Sequence, residues 1–325
     1  MLVPSGGSTE KSIICAGTFV VDIITGMLDV LAGPDSGQHV SVTSNPGGNA
    51  LNVAVNLVNL GVEGVDIYCC GAVGNDPEAG FLRSALADNG ITARLVESSL
   101  PTAKAIILNY TGNRRGFIVD KGASVDFGSK SLMEAISDIG PGVFYIGESA
   151  ASPGMDADLP ELVKHAKNLG CITVLDYIVH GESHSGRLFE CARNTDLLHV
   201  NEFEAKVLTG EKHIVRAAER MHEKGFKTVC VSEGEKGFVL GFGDKIIHFP
   251  VFSVHCVDAT GAGDAFCAGM IFFIRKNGKP PENLEEAKEM ALFASACGAC
   301  AVTETGCTTG LTLDKAEELI RRSRR

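Results

Sequence analysis

Asp258-Ala259-Thr260-Gly261-Ala262-Gly263-Asp264-Ala265-Phe266 follows an extended run, Ile246 to Val257, and opens a long apolar helical run, Ala265 to Ile274. A Gly-Ala-Gly turn feeding a helix gathers unpaired backbone N–H groups at one point, with the positive end of the helix dipole behind them. Glycine lets an anion such as a phosphate approach that backbone closely. A carboxylate at Asp264 is repelled by a phosphate, so its presence suggests work: accepting a proton from a hydroxyl that attacks the phosphorus. The same residues also fit a plain tight turn with an acid complementing the helix dipole. The stretch carries neither the Gly-Lys-Ser/Thr of a phosphate-binding loop nor the spacing of a dinucleotide fingerprint.

Outward from this stretch, the chain after Gly140 alternates strands with helices. The strands are Val143 to Ile146, Cys171 to Leu175, Leu197 to Val200 and Thr228 to Val231. The helices are roughly Asp158 to Asn168, Glu202 to Leu208, Val215 to Lys224, Glu285 to Val302 and Asp314 to Arg322. That rhythm predicts an α/β fold, a mostly parallel sheet with helices on both faces, whose ligands sit at the carboxyl ends of the strands. Glu148, Asp176, Asn201 and Ser232 each fall at or just past such an end.

The first part of the chain reads differently. Ser12 to Phe19 is expected to be a buried strand, followed by Asp22 among apolar neighbours, where an acid needs a partner or a cleft. Pro46-Gly47-Gly48-Asn49-Ala50-Leu51-Asn52 leads into an apolar helix that Gly61 closes. Its glycines and asparagines serve either as caps or as bare backbone and amides presented to a polyol. Ala103 to Tyr110, a Thr111-Gly112-Asn113 turn and Arg114 to Asp120 read as a hairpin flap, made positive by Arg114, Arg115 and Lys121.

Composition excludes several classes. Lys+Arg 29 against Asp+Glu 40 gives a net charge of −11, which argues against nucleic acid or an anionic membrane as a partner. No apolar run is long enough to span a bilayer, and Asp22 interrupts the run from Ile13 to Met27 that would otherwise read as a leader. Eleven cysteines, most within apolar runs, read as buried thiols in a reducing, cytoplasmic setting. Cys297-x-x-Cys300 lies inside a helical pattern and is expected to be packing, and His180-Gly-Glu-Ser-His184 to be a loop without a metal. Residues 1–10 are Gly/Ser-rich and expected to be loose.

Asn201-Glu202-Phe203-Glu204 fits a capping box, and Ser232-Glu233-Gly234-Glu235-Lys236-Gly237 fits a hairpin turn. Both segments also fit a nucleotide-lining role. Together with Gly47 to Ala54, Ala72-Val73-Gly74-Asn75-Asp76 and Asp258 to Phe266, in this order along the chain, they resemble the ribokinase-like (PfkB) carbohydrate kinase family. The resemblance implies a three-layer sandwich in one domain over residues 1–325, with a small β lid from discontinuous segments, roughly 20–45 and 95–121.

It also implies ATP-dependent phosphorylation of a hydroxymethyl group, with Asp264 as base and an anion hole at Gly261, Ala262 and Gly263. Asp22, Gly47, Gly48, Asn49, Asn52 and Glu148 would hold the acceptor; Asn201, Glu204, Ser232, Gly234 and Gly237 would lie along ATP. Glu204 would hold Mg2+ through water, and Asp258 with Thr260 would hold a monovalent cation such as K+. Ribokinases carry Asn where this chain has Val20, and Lys-Gly where it has Asn49-Ala50. The acceptor therefore stays open between a sugar, a sugar derivative and a nucleoside, with a non-catalytic sugar sensor as a further reading. An exposed lid edge would suit a homodimer.

Overall fold

The computed structural model of the chain describes residues 12–111, 114–148, 151–179 and 185–323. The N-terminal residues 1–10, the Gly112-Asn113 turn and the His180 to His184 motif lie outside them. Among the described residues the strands form two sheets. The larger has the order β13-β12-β11-β10-β9-β8-β1-β4-β5. In chain order these are β1 (Ile13–Ala16), β4 (Ile67–Val73), β5 (Thr92–Glu97), β8 (Val143–Gly147), β9 (Ile172–Asp176), β10 (Leu197–Asn201), β11 (Thr228–Ser232), β12 (Phe238–Phe242) and β13 (Lys245–Phe249). Pairing is parallel from β5 through β11, and β12 and β13 close one edge antiparallel.

Helices cover both faces, which is why the parallel strands read as unbroken apolar runs. Alternate residues of β1 show the division. Ile13 and Cys15 join a core with α1 (Asn49–Asn59), α2 (Pro77–Asp88), α8 (Ala262–Asn277), α9 (Leu284–Ala301) and α10 (Leu313–Ser323). Ile14 and Ala16 join the opposite core with α3 (Ser129–Ile139), α4 (Pro153–Asn168), α5 (Ser185–Glu190), α6 (Glu202–Thr209) and α7 (Ile214–Glu223). The expected three-layer sandwich is present. All eleven cysteines are free and all but Cys256 are buried. Cys297 lies where α9 meets α8 so closely that a Cβ on Gly269 would come within 3.0 Å of its sulfur. No helix among the described residues is long and apolar enough to cross a membrane.

The smaller sheet has the order β3-β2-β6-β7, from β2 (Val20–Thr25), β3 (Val42–Gly47), β6 (Ala103–Tyr110) and β7 (Arg114–Asp120). The hairpin β6–β7 has the bounds expected from sequence. The first strand does not: Ser12 to Phe19 is no single strand, because β1 ends at Ala16 and Val20 already belongs to the second sheet. The break falls at Gly17, at φ +153°, where a Cβ would stand 2.3 Å from the Asn49 Oδ1 atom. The extended run ahead of Asp258 is also shorter than expected. It ends at Phe249, since Pro250 has no N–H for a ladder, and residues 250–261 cross to α8 without regular structure.

Two glycines separate strain from crowding. Gly48 and Gly61 both have φ +93°, but a Cβ on Gly48 would meet the Thr18 carbonyl oxygen at 2.2 Å, while nothing lies within 4 Å of one on Gly61. Gly61→Ala is expected to cost about 1–2 kcal/mol, the left-handed penalty alone. Gly48→Ala should cost more, about 3 kcal/mol or above, because backbone must move as well. Urea unfolding of both variants measures the difference; equal costs would show that the Thr18–Gly48 approach is not tight.

Candidate active site

The N-terminus of α8 carries no side-chain cap, and Gly261 precedes it in the left-handed region at φ +78°. Only glycine fits there comfortably, because a Cβ would press on the Cys307 backbone at 2.7 Å. Of the first-turn N–H groups, that of Ala262 donates to the Ala259 carbonyl at 3.5 Å, and those of Gly263 and Asp264 are left for a ligand. Asp264 sits among them, partly exposed, and its Oδ2 accepts a hydrogen bond from Asn52 Nδ2 at 2.8 Å. Burial lifts the Asp264 pKa well above the ordinary carboxylate value, with the charges of Asp176, Glu148 and Asp22 adding to it and the Asn52 bond opposing.

Asp22 and Glu148 approach the same point from other elements. Asp22 is buried on β2 with Gly47 alongside: a Cβ on Gly47 would lie 2.1 Å from its Oδ2. Burial, then the charges of Glu148 and Asp258, push Asp22 up to about 7, against a weak bond from Cys307. Glu148 follows β8 in the left-handed region at φ +50° and accepts a short hydrogen bond from the Thr18 hydroxyl. Asn49 has a partly structural role. Its Oδ1 accepts from the backbone N–H groups of Thr18 at 3.1 Å and Ala50 at 2.8 Å, which pins the Gly17–Thr18 crossover to α1. The Nδ2 of Asn49 and the Oδ1 of Asn52 are buried without partners.

The remaining predicted residues line the same sheet edge. Asp176, Asn201 and Ser232 end β9, β10 and β11, and Asn201 is in register with Ser232. The capping box is fully formed: Asn201 N donates to Glu204 Oε2 at 2.7 Å, and Glu204 N donates to Asn201 Oδ1 at 2.9 Å. Glu204 is buried, and burial followed by the Asp176 charge raises it to about 7 despite the Asn201 bond and His199. Gly237 is fixed by structure, since a Cβ would meet the Phe249 carbonyl oxygen at 2.0 Å, whereas Gly234, at φ +59°, is open above. Asp258 and Thr260, just before the Gly261 turn, are both bonded to Arg115 of β7.

The uncapped, glycine-framed start of α8, with its raised carboxylate, thus stands beside Asp22 from the second sheet and Glu148 from the end of β8. The profile of the pfkB family carbohydrate kinases matches residues 10–314. The chain belongs to this family. It is an ATP-dependent carbohydrate kinase, a phosphotransferase with an alcohol as acceptor. Fructokinase-2 of Oryza sativa subsp. japonica is 27% identical over 327 residues, covering 95% of this chain and 93% of the relative. The aminoimidazole riboside kinase of Salmonella typhimurium is 29% identical over 279 residues, 82% of this chain and 84% of the relative. Among solved structures, a ribokinase from Giardia lamblia aligns with TM-score 0.84 at 18% identity over 95% of this chain and 99% of its own. A ribokinase from Thermotoga maritima aligns with TM-score 0.79 at 25% identity over 96% and 99%.

Beneath the cleft of this pfkB-family kinase lies a network the sequence did not disclose. Asp176 Oδ1 meets His199 Nδ1 at 2.8 Å, and Asp176 Oδ2 accepts from the Tyr145 hydroxyl at 3.2 Å. Burial works against the His199 charge, but Asp176 outweighs it and the pKa rises. The signal was there: a histidine in Leu197-Leu198-His199-Val200 sits in an otherwise apolar strand. Asp176, His199 and Cys267 are also the one group of three such residues with metal-ligand spacing among the described residues.

Asp22 supplies a pH test. The unfolded chain releases this proton near 3.9 and the folded chain at about 7, so ionisation penalises the folded state increasingly across that window and fully above it. Asp22→Asn is expected to be more stable than the parent by about 1–2 kcal/mol at pH 8, the gain shrinking toward pH 4. Thermal melts across that range check it; a difference that does not change with pH would rule out the raised pKa.

Proposed function

We propose that this kinase phosphorylates a hydroxymethyl group of a sugar or sugar-derived alcohol, with Asp264 as general base. The observation that carries this reading is Asp264 itself, a carboxylate of raised pKa held by Asn52 at an uncapped helix N-terminus. Asp264 takes the acceptor's proton as its oxygen becomes the nucleophile. The backbone N–H groups of Ala262 and Gly263, with that of Asp264 and the α8 dipole, receive the charge that develops on the transferred group. Gly261 keeps that turn free of a side chain.

Asp22, Glu148, Asn49 and Asn52 accept and donate to the acceptor's hydroxyls, and Gly47 and Gly48 leave room for it. The unpartnered Asn49 Nδ2 and Asn52 Oδ1 suit a polyol. Asn201, Ser232, Gly234 and Gly237 flank ATP. Glu204 fits a Mg2+ ion held through water: it is buried, negative when ionised, and raised by burial and the Asp176 charge, which a cation would offset. Bound Mg2+ supplies charge neutralisation on the phosphates. The lid sheet covers the acceptor and excludes water. Because Arg115 is committed to Asp258, it is not available to read a phosphorylated acceptor.

A nucleoside acceptor is favoured by one observation. Arg115 and Phe117 alternate to the same face of β7, the face that reaches the Asp258 loop, and Phe117 is 59% exposed there. β7 is also a free edge of the lid sheet with Ile118 54% exposed, which supports a homodimer through the lid.

Asp264→Asn is expected to keep its fold by circular dichroism and to lose roughly 10³-fold or more in kcat, with KM for ATP changed little. Turnover near that of the parent would remove Asp264 as the base. Phe117→Ala separates the acceptors. If a nucleoside is the substrate, its KM should rise about 10-fold or more; an unchanged KM leaves the sugar reading.

A further inference from the structure

Asp258 and Thr260 occupy the place where the family resemblance puts a monovalent cation, beside the anion-binding turn. The residues present do not fit an ion there. Arg115 reaches from the lid strand β7, donating from Nη2 to Asp258 Oδ1 at 2.7 Å and from Nη1 to Thr260 Oγ1 at 2.6 Å. These are the two side-chain oxygens that an ion would use. A guanidinium is all donors with no lone pair, so it cannot ligate a metal ion and it repels one at this range.

Both carboxylate oxygens of Asp258 and one neighbouring carbonyl are also engaged. Asp258 Oδ1 accepts from Thr260 N at 2.9 Å, and Oδ2 accepts from Gly306 N at 3.2 Å. The Val302 carbonyl accepts from the N–H groups of Val257 at 2.8 Å and Asp258 at 3.2 Å.

We propose that Arg115 is a built-in replacement for the monovalent cation, carried into the anion-binding loop by the lid. The inference rests on reading Ala262 to Asp264 as the anion hole. Electrostatics support it: burial works against the Asp258 charge, but the bonds from Thr260 and Gly306 and the Arg115 charge outweigh it and hold the carboxyl below its ordinary pKa. Placement supports it too. Arg115 stands on the second sheet and Asp258 on the main body, so the pair exists only with the hairpin against the body. A diffusible ion would remain whether the lid were open or closed, whereas this charge arrives with closure. Arg115 touches the loop and not the reacting atoms, and so acts as a positioning residue.

The test compares chloride salts of potassium, sodium and choline at fixed ionic strength, about 0.1 M. Turnover of the parent protein should vary less than roughly 2-fold among them, since no ion site is open. Arg115→Ala should lose on the order of 30-fold in choline, and potassium should restore at least about 5-fold by entering the vacated position. Thermal melts without any substrate give a second readout: potassium should raise the Tm of Arg115→Ala over choline and leave that of the parent unmoved. Should the Ala variant not fold, Arg115→Gln, which keeps bulk without charge, takes the same measurements. A parent protein activated or stabilised by potassium overturns the proposal, and so does an Arg115 variant indifferent to it. The melts do not depend on the acceptor or the base. Loss of turnover in Asp264→Asn with no potassium response at position 115 therefore overturns the replacement alone, while a potassium response beside an active Asp264→Asn overturns only the base assignment.

Discussion

The crowding of carboxylates around the N-terminus of α8 is the constraint that the rest of the structure accommodates. Asp22, Glu148 and Asp176 come from separate elements toward Asp264, Glu204 adjoins Asp176 and Glu148, and burial with neighbouring negative charge raises Asp22, Glu204 and Asp264. Nothing in folding favours that arrangement. It is held because two apolar cores clamp the parallel sheet from both faces, leaving the strand ends no freedom to move apart. The site is thus a place where burial first, and neighbouring charge second, disfavour the ionised carboxylates.

How each acid is compensated separates their behaviour. Asp258 has a guanidinium at hydrogen-bond distance and is the one held low. Asp176 has His199, drawn toward its protonated form by the same contact. Asp264 has only the neutral amide of Asn52 and remains well above its ordinary value. Asp22 has a weak thiol bond and Glu204 a backbone N–H, and both are pushed to about 7. The groups without a cation partner are those assigned to acceptor, metal ion and proton. The groups with one are assigned to the scaffold.

Much of this could be read from the chain itself. The turn into α8, the β6–β7 hairpin and the acids at strand ends each follow from local pattern, because one short stretch contains both the signal and the structure. Other features are not local. The run from Ile13 to Val21 is apolar apart from Gly17 and Thr18, so nothing in it tells that Gly17 moves the chain from one sheet to the other; Asn49, on a later element, fills the space that forces the break. Helix α4 begins at Pro153 with Ser152 as its cap, earlier than expected, and Pro160 lies inside it. Arg115 and Asp258 lie too far apart in sequence for spacing to pair them. A positive hairpin was visible; its destination was not.

Helix α1 shows how a pattern can be legible and still be under-read. Asn49, Asn52, Asn56 and Asn59 recur at three- and four-residue intervals, one face of an otherwise apolar helix. The first two look like simple capping. In the structure Asn49 fastens the crossover at Thr18, Asn52 holds Asp264, and Asn56 and Asn59 donate to the carbonyls of Cys307 at 3.3 Å and Thr308 at 2.7 Å. Those carbonyls belong to the loop whose Gly306 N–H bonds Asp258 and whose Cys307 packs on Gly261. One rigid polar stripe therefore sets the Thr18 crossover, the Asp264 carboxylate and the loop packed on the turn into α8. Buried amides are costly unless partnered, so their persistence along this face is itself the mark of a helix whose polar side faces a site and not a core.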